Sequence, residues 1–319
     1  MSQYILRRCL LAIPTLLVIS FVLFAVLALA PGDPLSQFAA NPAVPPAVRE
    51  NIKRQMGLDQ PWPVRYVKWL TAAAQGNMGY SFSAKVPVMI LIQQRMPQTL
   101  WVVGSAFLLA VLLAIPIGVI SAVKQYSIFD QVGTFFSFIG FSVPSFFTGV
   151  LLMLIFAVRL GWFPIIYSST LKVENWGTFW QQVRQMALPV TVLLVQQTAA
   201  LTRFTRSAML DNLPLDYVRT ARSKGLADQT VIVRHILSNS LIPVVTLIAL
   251  GIPAIFGGAI VTENLFRVNG IGALLITSIN NSDTPVVMAI TFIFAILTVV
   301  FNLVADIFYG VLDPRVRYS

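Results

Sequence analysis

The chain has 319 residues, of which 57% are hydrophobic and only 11% are charged, and its formal net charge is +10. Soluble domains are about half apolar and about a quarter charged, so this composition indicates an integral membrane protein. A single cysteine excludes an intrachain disulfide. Because the chain also has only one histidine, it offers few ligands for a zinc or iron site, so we expect no metal. The basic residues are spread over loops, which favours membrane orientation over nucleic-acid binding.

Six stretches without charged residues are long enough to cross a bilayer, which takes about 20 helical residues. The fourth is extended through Arg203 and Arg206, whose long side chains can reach the headgroups, and the fifth starts near Pro243 because polar residues precede it. The sequence therefore predicts an all-α integral membrane protein with six transmembrane helices in a single domain, residues 1–319. The predicted spans are 9–30, 98–123, 131–158, 185–206, 243–262 and 284–312.

The first span has a second interpretation, a signal peptide, because Arg7 and Arg8 precede it and Ala28-Leu-Ala30 resembles a cleavage site. Its 22 residues exceed the usual signal core of about 7–15, which favours a true span. Prolines 116, 144 and 253 lie inside predicted spans, where a bundle can tolerate the kinks that they cause.

Lysine and arginine residues set the predicted orientation. With the N-terminus inside, eleven of them lie in inside segments and eleven in outside segments. Seven of the outside ones lie in the long loop 31–97, to which the charge rule does not apply, and excluding them leaves eleven against four. We therefore expect both termini and the loop 207–242 to be cytoplasmic. In the outer loop, 61–70 and 86–96 are predicted helices that either lie on the outer face of the bundle or receive an external partner.

The longest polar and strongly basic stretch lies between the fourth and fifth spans, at residues 216–243 (the basic segment). Good helix formers from Asp216 to Lys224 end at Gly225, which is typical of the position just after a helix. Asp228 is a candidate cap for a second helix. Two short helices that turn at a glycine form a rigid, exposed shape suited to docking on another protein.

The sequence offers no catalytic constellation. It has no Gly-Lys pair, hence no phosphate-binding loop of the common type, and His235 has no evident Ser or Cys partner, so we interpret it as a structural or docking residue. Asp306, near the end of the sixth span, is interpreted as an interfacial residue bonded to a neighbouring helix. Gln196 and Gln197 lie near the middle of the fourth span, about 100° apart around the helix. Either they bond to neighbouring helices, or at least one faces a hydrophilic path.

The basic segment resembles the cytoplasmic signature of permease subunits of binding-protein-dependent ABC importers, and more narrowly the dipeptide, oligopeptide and nickel permease group. Ala221-Arg-Ser-Lys-Gly-Leu226 is close to the group's Ala-Arg-Ala-Lys-Gly-Leu, although Arg219-Thr220-Ala221 replaces the family's Glu-Ala-Ala. Asn269 stands where the group usually has proline, and Asp283-Thr-Pro285 lacks the usual tyrosine. Further matching segments occur in order along the chain: Ala30-Pro-Gly-Asp-Pro34, Gly57-Leu-Asp-Gln-Pro61, Arg65-Tyr66 with Trp69, Gly76-Asn-Met-Gly79 with Ser81, Pro97-Gln-Thr-Leu100, Arg203-Phe-Thr-Arg-Ser207, Glu263 with Phe266, and Asp313-Pro-Arg315 with Arg317.

The resemblance implies a type I ABC importer permease in the bacterial inner membrane that forms half of a translocation path. It implies a homologous second permease, two ABC ATPase subunits that bind ATP and magnesium, and an extracytoplasmic substrate-binding protein; this chain itself would bind no cofactor. The residues expected to dock on the ATPase are Asp216, Arg219, Ala221, Arg222, Lys224, Gly225 and His235. A self-sufficient secondary transporter and a membrane-embedded enzyme are the alternatives. The sequence leaves the substrate open among dipeptides, oligopeptides, nickel chelates and glutathione-like compounds.

Overall fold

The computed structural model describes residues 2–29, 50, 54 and 59–312. Within them the secondary structure is helical, apart from one isolated bridge between Tyr80 and Pro87. The matching segments 30–34 and 313–317, and residues 57 and 58 of the segment 57–61, lie outside the described residues. The helices are α1 (Ser2–Leu29), α2 (Trp62–Ala74), α3 (Val88–Thr99), α4 (Ser105–Val123), α5 (Ile128–Ser142), α6 (Ser145–Leu152), α7 (Trp176–Asn212), α8 (Asp216–Ser223), α9 (Asp228–Thr230), α10 (Ser238–Gly257), α11 (Ile260–Leu265), α12 (Ile271–Asn280) and α13 (Thr284–Leu312).

π-helical turns join several of these helices into longer ones. Leu100–Gly104 connects α3 to α4, Val231–Leu237 connects α9 to α10, and Met153–Arg159 extends α6. Four continuous helices among the described residues are long and apolar enough to cross a membrane, and α5 with α6 adds a fifth if the bent pair is one span. The four are Leu6–Leu29, Val88–Val123, Asp228–Leu265 and Thr284–Ile307. The all-helical membrane class is thereby confirmed, whereas the helix α7, which contains the predicted fourth span, is not among the four.

The predicted third span, 131–158, is not one helix. It breaks into α5 and the helix from Ser145 to Arg159, which meet at an angle of 105°. Val143 and Pro144 at the break are extended, with ψ of 126° and 140°. A residue before proline is disfavoured in the helical region and proline has no N–H to donate, so the break falls at this pair.

Three helices extend beyond the predicted elements that they contain. The helix that begins at Val88 does not stop near Pro97 but continues through the π-helical turn at Leu100–Gly104. This turn shifts the hydrogen-bond pattern just after the proline, so the helix can go on. α7 begins at Trp176, where Asn175 and Thr178 form a capping box, and runs to Asn212. The helix that contains the predicted fifth span, 243–262, begins at Asp228.

The centre of the bundle is the pair α4 and α7, which pack along their length. α4 presents a buried stripe of small residues, spaced four apart: Ala106, Ala110, Ala114, Gly118 and Ala122. A Cβ added at Gly118 would lie 2.7 Å from Cβ of Thr205 on α7. Small residues at this spacing let two backbones approach closely, as is common between membrane helices.

α13 packs against α10 and α1. Nη1 of Arg8 on α1 lies 3.0 Å from Oδ2 of Asp306 on α13, which confirms that Asp306 bonds to a neighbouring helix. α2 lies against α1, with the hydroxyls of Tyr66 and Ser20 3.0 Å apart, as expected for a helix on the bundle surface. The second predicted surface helix is instead the start of the long helix Val88–Val123.

Candidate functional site

The basic segment turns at a glycine, as predicted. α8 ends at Ser223, and Gly225 follows with φ of +75°, its N–H donating to the carbonyl of Arg222 at 2.9 Å. A Cβ at Gly225 would meet nothing within 4 Å. The position therefore requires glycine for its left-handed backbone and not for lack of space.

One face of the basic segment is buried against the ends of α4 and α7. Val218 and Ala221 of α8 are 1% and 6% exposed, and they share an apolar cluster with Ala122, Met209 and other residues of the segment. α8 is thus seated on the same two helices that form the centre of the bundle. Ala221, predicted to dock on a partner, faces this cluster.

The other face of the segment carries its charges. Asp216, Arg219, Arg222 and Lys224 are exposed. Nη1 of Arg219 lies 3.5 Å from Oδ1 of Asp216. Exposed pairs of this kind contribute little to stability, about 0–1 kcal/mol, so their main consequence is the charge pattern that they present.

Asp228 does not cap a helix, contrary to the prediction. The cap position is Ala227, and the Asp228 carboxylate instead lies 3.3 Å from Nε of Arg222, across the turn at Gly225. His235 is half-buried, and its carbonyl accepts a hydrogen bond from the side-chain amide of Asn239 at 2.7 Å. The structure therefore places Arg222 at the turn itself and His235 further along, in the π-helical part of the segment.

Gln196 and Gln197 are both half-buried but differ in their surroundings. Nε2 of Gln196 lies 3.5 Å from the carbonyl of Val143, at the break between α5 and α6. Oε1 of Gln197 is buried and has no hydrogen-bond partner among the described residues. Gln196 is thus brought to the bend.

An ion pair that the sequence did not indicate lies close to the basic segment. Nε and Nη2 of Arg206 on α7 donate to the two carboxylate oxygens of Asp130 on α5, at 2.6 and 2.8 Å. Asp130 is 3% exposed and also accepts from the backbone N–H of Tyr126 at 3.0 Å. Arg206 is therefore held by a buried carboxylate of α5, a partner that the sequence analysis did not assign to it. The sequence could have indicated this pair, because Asp130 and Arg206 lie at the ends of two predicted spans on the same side of the membrane.

Two family models together match nearly the whole chain. Residues 114–318 match the binding-protein-dependent transport system inner membrane component, and residues 1–103 match the N-terminal part of the membrane component of such systems. The chain belongs to this family. It is a permease of the ABC importer class, and in this class ATP hydrolysis takes place on separate subunits.

Curated relatives align with the permease over its full length. It is 43% identical to the oligopeptide transport system permease protein AppB of Bacillus subtilis and 37% identical to a putative peptide permease protein of Brucella suis. It is also 37% identical to the glutathione transport system permease protein GsiC of Salmonella choleraesuis. Each alignment covers all of this chain and all of the relative. The resemblance to the peptide permease group is thereby confirmed.

The end of the permease opposite the basic segment is fixed by buried carboxylates. Glu263 is fully buried, and it accepts hydrogen bonds from the Thr99 hydroxyl at 3.0 Å and from the Ala273 N–H, at the start of α12, also at 3.0 Å. Asp283 is 1% exposed and accepts from the N–H groups of Phe82 and Ser83, which fastens the loop before α3 to the start of α13. The sequence singled out both positions through the resemblance but gave them no role.

Side-chain amides fasten the loop between α6 and α7 at the same end. The Tyr167 hydroxyl donates to Oε1 of Gln98 at 2.7 Å and accepts from Nε2 of Gln182 at 2.5 Å. Nε2 of Gln185 in turn donates to Oε1 of Gln182 at 2.7 Å. Burial raises the pKa of the Tyr167 phenol above its ordinary value. The part of α7 farther from the basic segment is therefore fixed to α3 by a hydrogen-bonded network.

Proposed function

We propose that this permease forms half of the translocation path of an ATP-driven importer for short peptides and that its basic segment docks on an ATPase subunit. The observation that carries the proposal is the two-sided basic segment. One face is buried on α4 and α7, and the other is exposed and charged. A force applied to the exposed face would therefore reach the two central helices.

The substrate class follows from the relatives. Their names refer to oligopeptides, peptides and glutathione, and all of these are short peptides or close analogues. The complete importer would contain this permease, a homologous second permease, two ATPases that bind ATP and magnesium, and a binding protein that delivers the peptide. This chain would bind no cofactor.

The docking surface would consist of Asp216, Arg219, Arg222 and Lys224, with Gly225 fixing the turn. Ala221 supports it from beneath, because it is packed in the apolar cluster. Arg222 is partly neutralised by Asp228, so Lys224 is the better candidate for contact with an acidic or carbonyl group of the ATPase.

The orientation that we propose places both termini and the basic segment in the bacterial cytoplasm. The excess of lysine and arginine in the short inside segments supports it. In this orientation Glu263, Asp283 and the amide network face the binding protein side.

Gln196 is the better of the two candidates for the path. It lies at the bend of the broken pair α5 and α6, where the helical hydrogen-bond ladder is interrupted. Backbone that is not helical at membrane depth needs protein or water around it, which favours a path at this point.

The test is reconstitution of the permease with its second permease, ATPases and binding protein in liposomes. We expect peptide-stimulated ATP hydrolysis and uptake of a radiolabelled peptide, both dependent on the binding protein. Omission of this chain should abolish both activities. Peptide uptake without ATP, or a permease that never co-purifies with an ATPase, would overturn the proposal.

A further inference from the structure

A cavity of about 260 Å³ lies between α5 and the half of α7 nearer the basic segment. Its walls combine rings from α5, among them Phe138 and Phe141, with polar groups from α4, α5 and α7. Five hydroxyl-bearing residues line it: Ser121, Thr134, Ser137, Thr202 and Ser207. So many hydroxyls are unusual for a surface that faces hydrocarbon, where each polar group needs a partner.

Two of these hydroxyls are buried and unsatisfied. Ser121 is 1% exposed and Thr202 is 4% exposed, and neither hydroxyl oxygen has a hydrogen-bond partner among the described residues. A buried polar group without a partner is costly, and natural proteins retain such groups where a ligand or water completes them. Both oxygens are themselves enclosed, so a group in the cavity does not touch them unless a side chain moves.

The two arginines that line the cavity differ in whether their charge is paired with a carboxylate. The charge of Arg206 is matched by Asp130. Arg203 forms no ion pair with any described residue; its guanidinium instead lies over the Phe141 ring, 5.0 Å from the ring centre. An arginine in a membrane helix characteristically faces a water-filled cavity or the bundle interior and marks an ion or substrate pathway. Arg203 is thus the available cation of the cavity.

Arg203 also lies on the same face of α7 as Gln196. Seven residues make two helical turns, which separates the two positions by roughly 10.5 Å along the helix axis. Arg203 at the cavity therefore lies two turns from Gln196 at the bend, and Gln196 is not among the residues that line the cavity.

We propose that this cavity is a transit site in which Arg203 binds the carboxylate of the transported solute. The proposal rests on the proposed function of a peptide importer. Every peptide with a free C-terminus carries such a carboxylate, and guanidinium is the side-chain group that matches its geometry. The Phe141 ring holds the guanidinium in place without neutralising it.

The experiment measures uptake of one peptide by the complete reconstituted importer with wild-type permease, Arg203→Gln and Arg203→Lys. We expect Arg203→Gln to reduce uptake by about fivefold, the value of a partly exposed charge pair, and Arg203→Lys to restore most of it. Uptake by the wild type should fall as salt rises, and this dependence should be weaker in Arg203→Gln. A purely structural role would not produce the difference in salt dependence.

Arg159→Gln is the matched control, since Arg159 is exposed and lies at the end of the bent helix away from the cavity. It should leave uptake and its salt dependence unchanged. If the wild type takes up peptide and Arg203→Gln does so equally well, the transit site is refuted while the importer function stands. If no peptide is taken up by the wild type, the proposed function itself fails.

Vesicle composition distinguishes two anions that Arg203 could bind, the carboxylate of the solute and the phosphate of a lipid headgroup. Uptake is compared in phosphatidylcholine vesicles and in mixed phosphatidylcholine and phosphatidylglycerol vesicles. We expect the Arg203→Gln deficit in both. A deficit found only with phosphatidylglycerol would show that Arg203 binds a lipid headgroup, and the proposal would be wrong.

Discussion

Replacing Gly225 by valine tests the turn of the basic segment without altering contacts elsewhere in the fold. Because a Cβ there would meet nothing within 4 Å, the cost of the change lies entirely in the backbone at φ +75°. A β-branched residue held in this region costs about 1–3 kcal/mol, which corresponds to a change of roughly 5- to 150-fold in an equilibrium. The strain is relieved by lifting α8 from its apolar cluster, so we expect ATPase docking to weaken by a factor in that range.

The assay is co-purification of the ATPase with each permease variant, followed by peptide-stimulated hydrolysis in liposomes. Two controls accompany Gly225→Val. Gly225→Asn should lose little, because asparagine tolerates the left-handed region. Gly161→Val places the same strain at φ +63°, also with nothing within 4 Å, at the loop after the bent helix. It should bind the ATPase normally.

Two results would refute this reasoning. The first is a Gly225→Val permease that retains the ATPase and couples hydrolysis to uptake as the wild type does. The second is an equal loss of ATPase in Gly161→Val, which would show that general destabilisation and not the turn is responsible.

Three further predictions concern the framework and its orientation. Asp130→Asn leaves the guanidinium of Arg206 without its carboxylate, so we expect a stability loss of about 1–3 kcal/mol in detergent. The double variant with Arg206→Gln should be less unstable than the sum of the single changes, and simple additivity would contradict the coupling. Gly118→Leu forces a side chain against Thr205, so we expect the free energy of unfolding to fall by about 1–3 kcal/mol and the Tm to fall with it. An unchanged Tm would contradict the close approach of the two helices. In a background without the native cysteine, Ser223→Cys should react with an impermeant maleimide in inside-out vesicles only, and labelling in intact cells would reverse the orientation.

The sequence predicted the features that a bilayer or a single backbone torsion imposes. Long charge-free runs locate the membrane helices because hydrocarbon excludes charge and sets a minimum length. Gly225 could be assigned to a turn because few other residues adopt its φ freely. Both inferences depend on local properties. The structure confirms the all-helical membrane class and the turn at Gly225, with four or five helices among the described residues that could cross a membrane.

Prolines show where local reasoning fails. Pro116 and Pro253 remain inside helices, whereas Pro144 separates two helices by 105°. At Pro144 the bent helix also packs closely on α11, since a Cβ added at Gly149 would lie 2.4 Å from a methyl group of Leu265. Each proline permits a break, but the sequence around it does not show which one the packing of the bundle accommodates.

The ion pair between Asp130 and Arg206 illustrates the same limit at longer range. The two residues are 76 positions apart, and the carboxylate lies just outside the charge-free run that defined the third span. The arginine was assigned to the headgroups because nothing local indicated a partner. Only the close packing of α5 on α7 brings the two together.

α7 is the element through which docking and translocation would be connected. It has 37 residues, with Met209 at one end in the cluster under the basic segment and Gln185 toward the other end in the amide network. Pro189 lies between them and removes the hydrogen bond to the Gln185 carbonyl, which allows the part that carries Arg203 to tilt against the part that the amide network fixes. We expect Pro189→Ala to stiffen this point and to slow peptide uptake in liposomes while ATPase co-purification is unchanged. If uptake by Pro189→Ala equals that of the wild type, the movement that opens and closes the path lies in another helix.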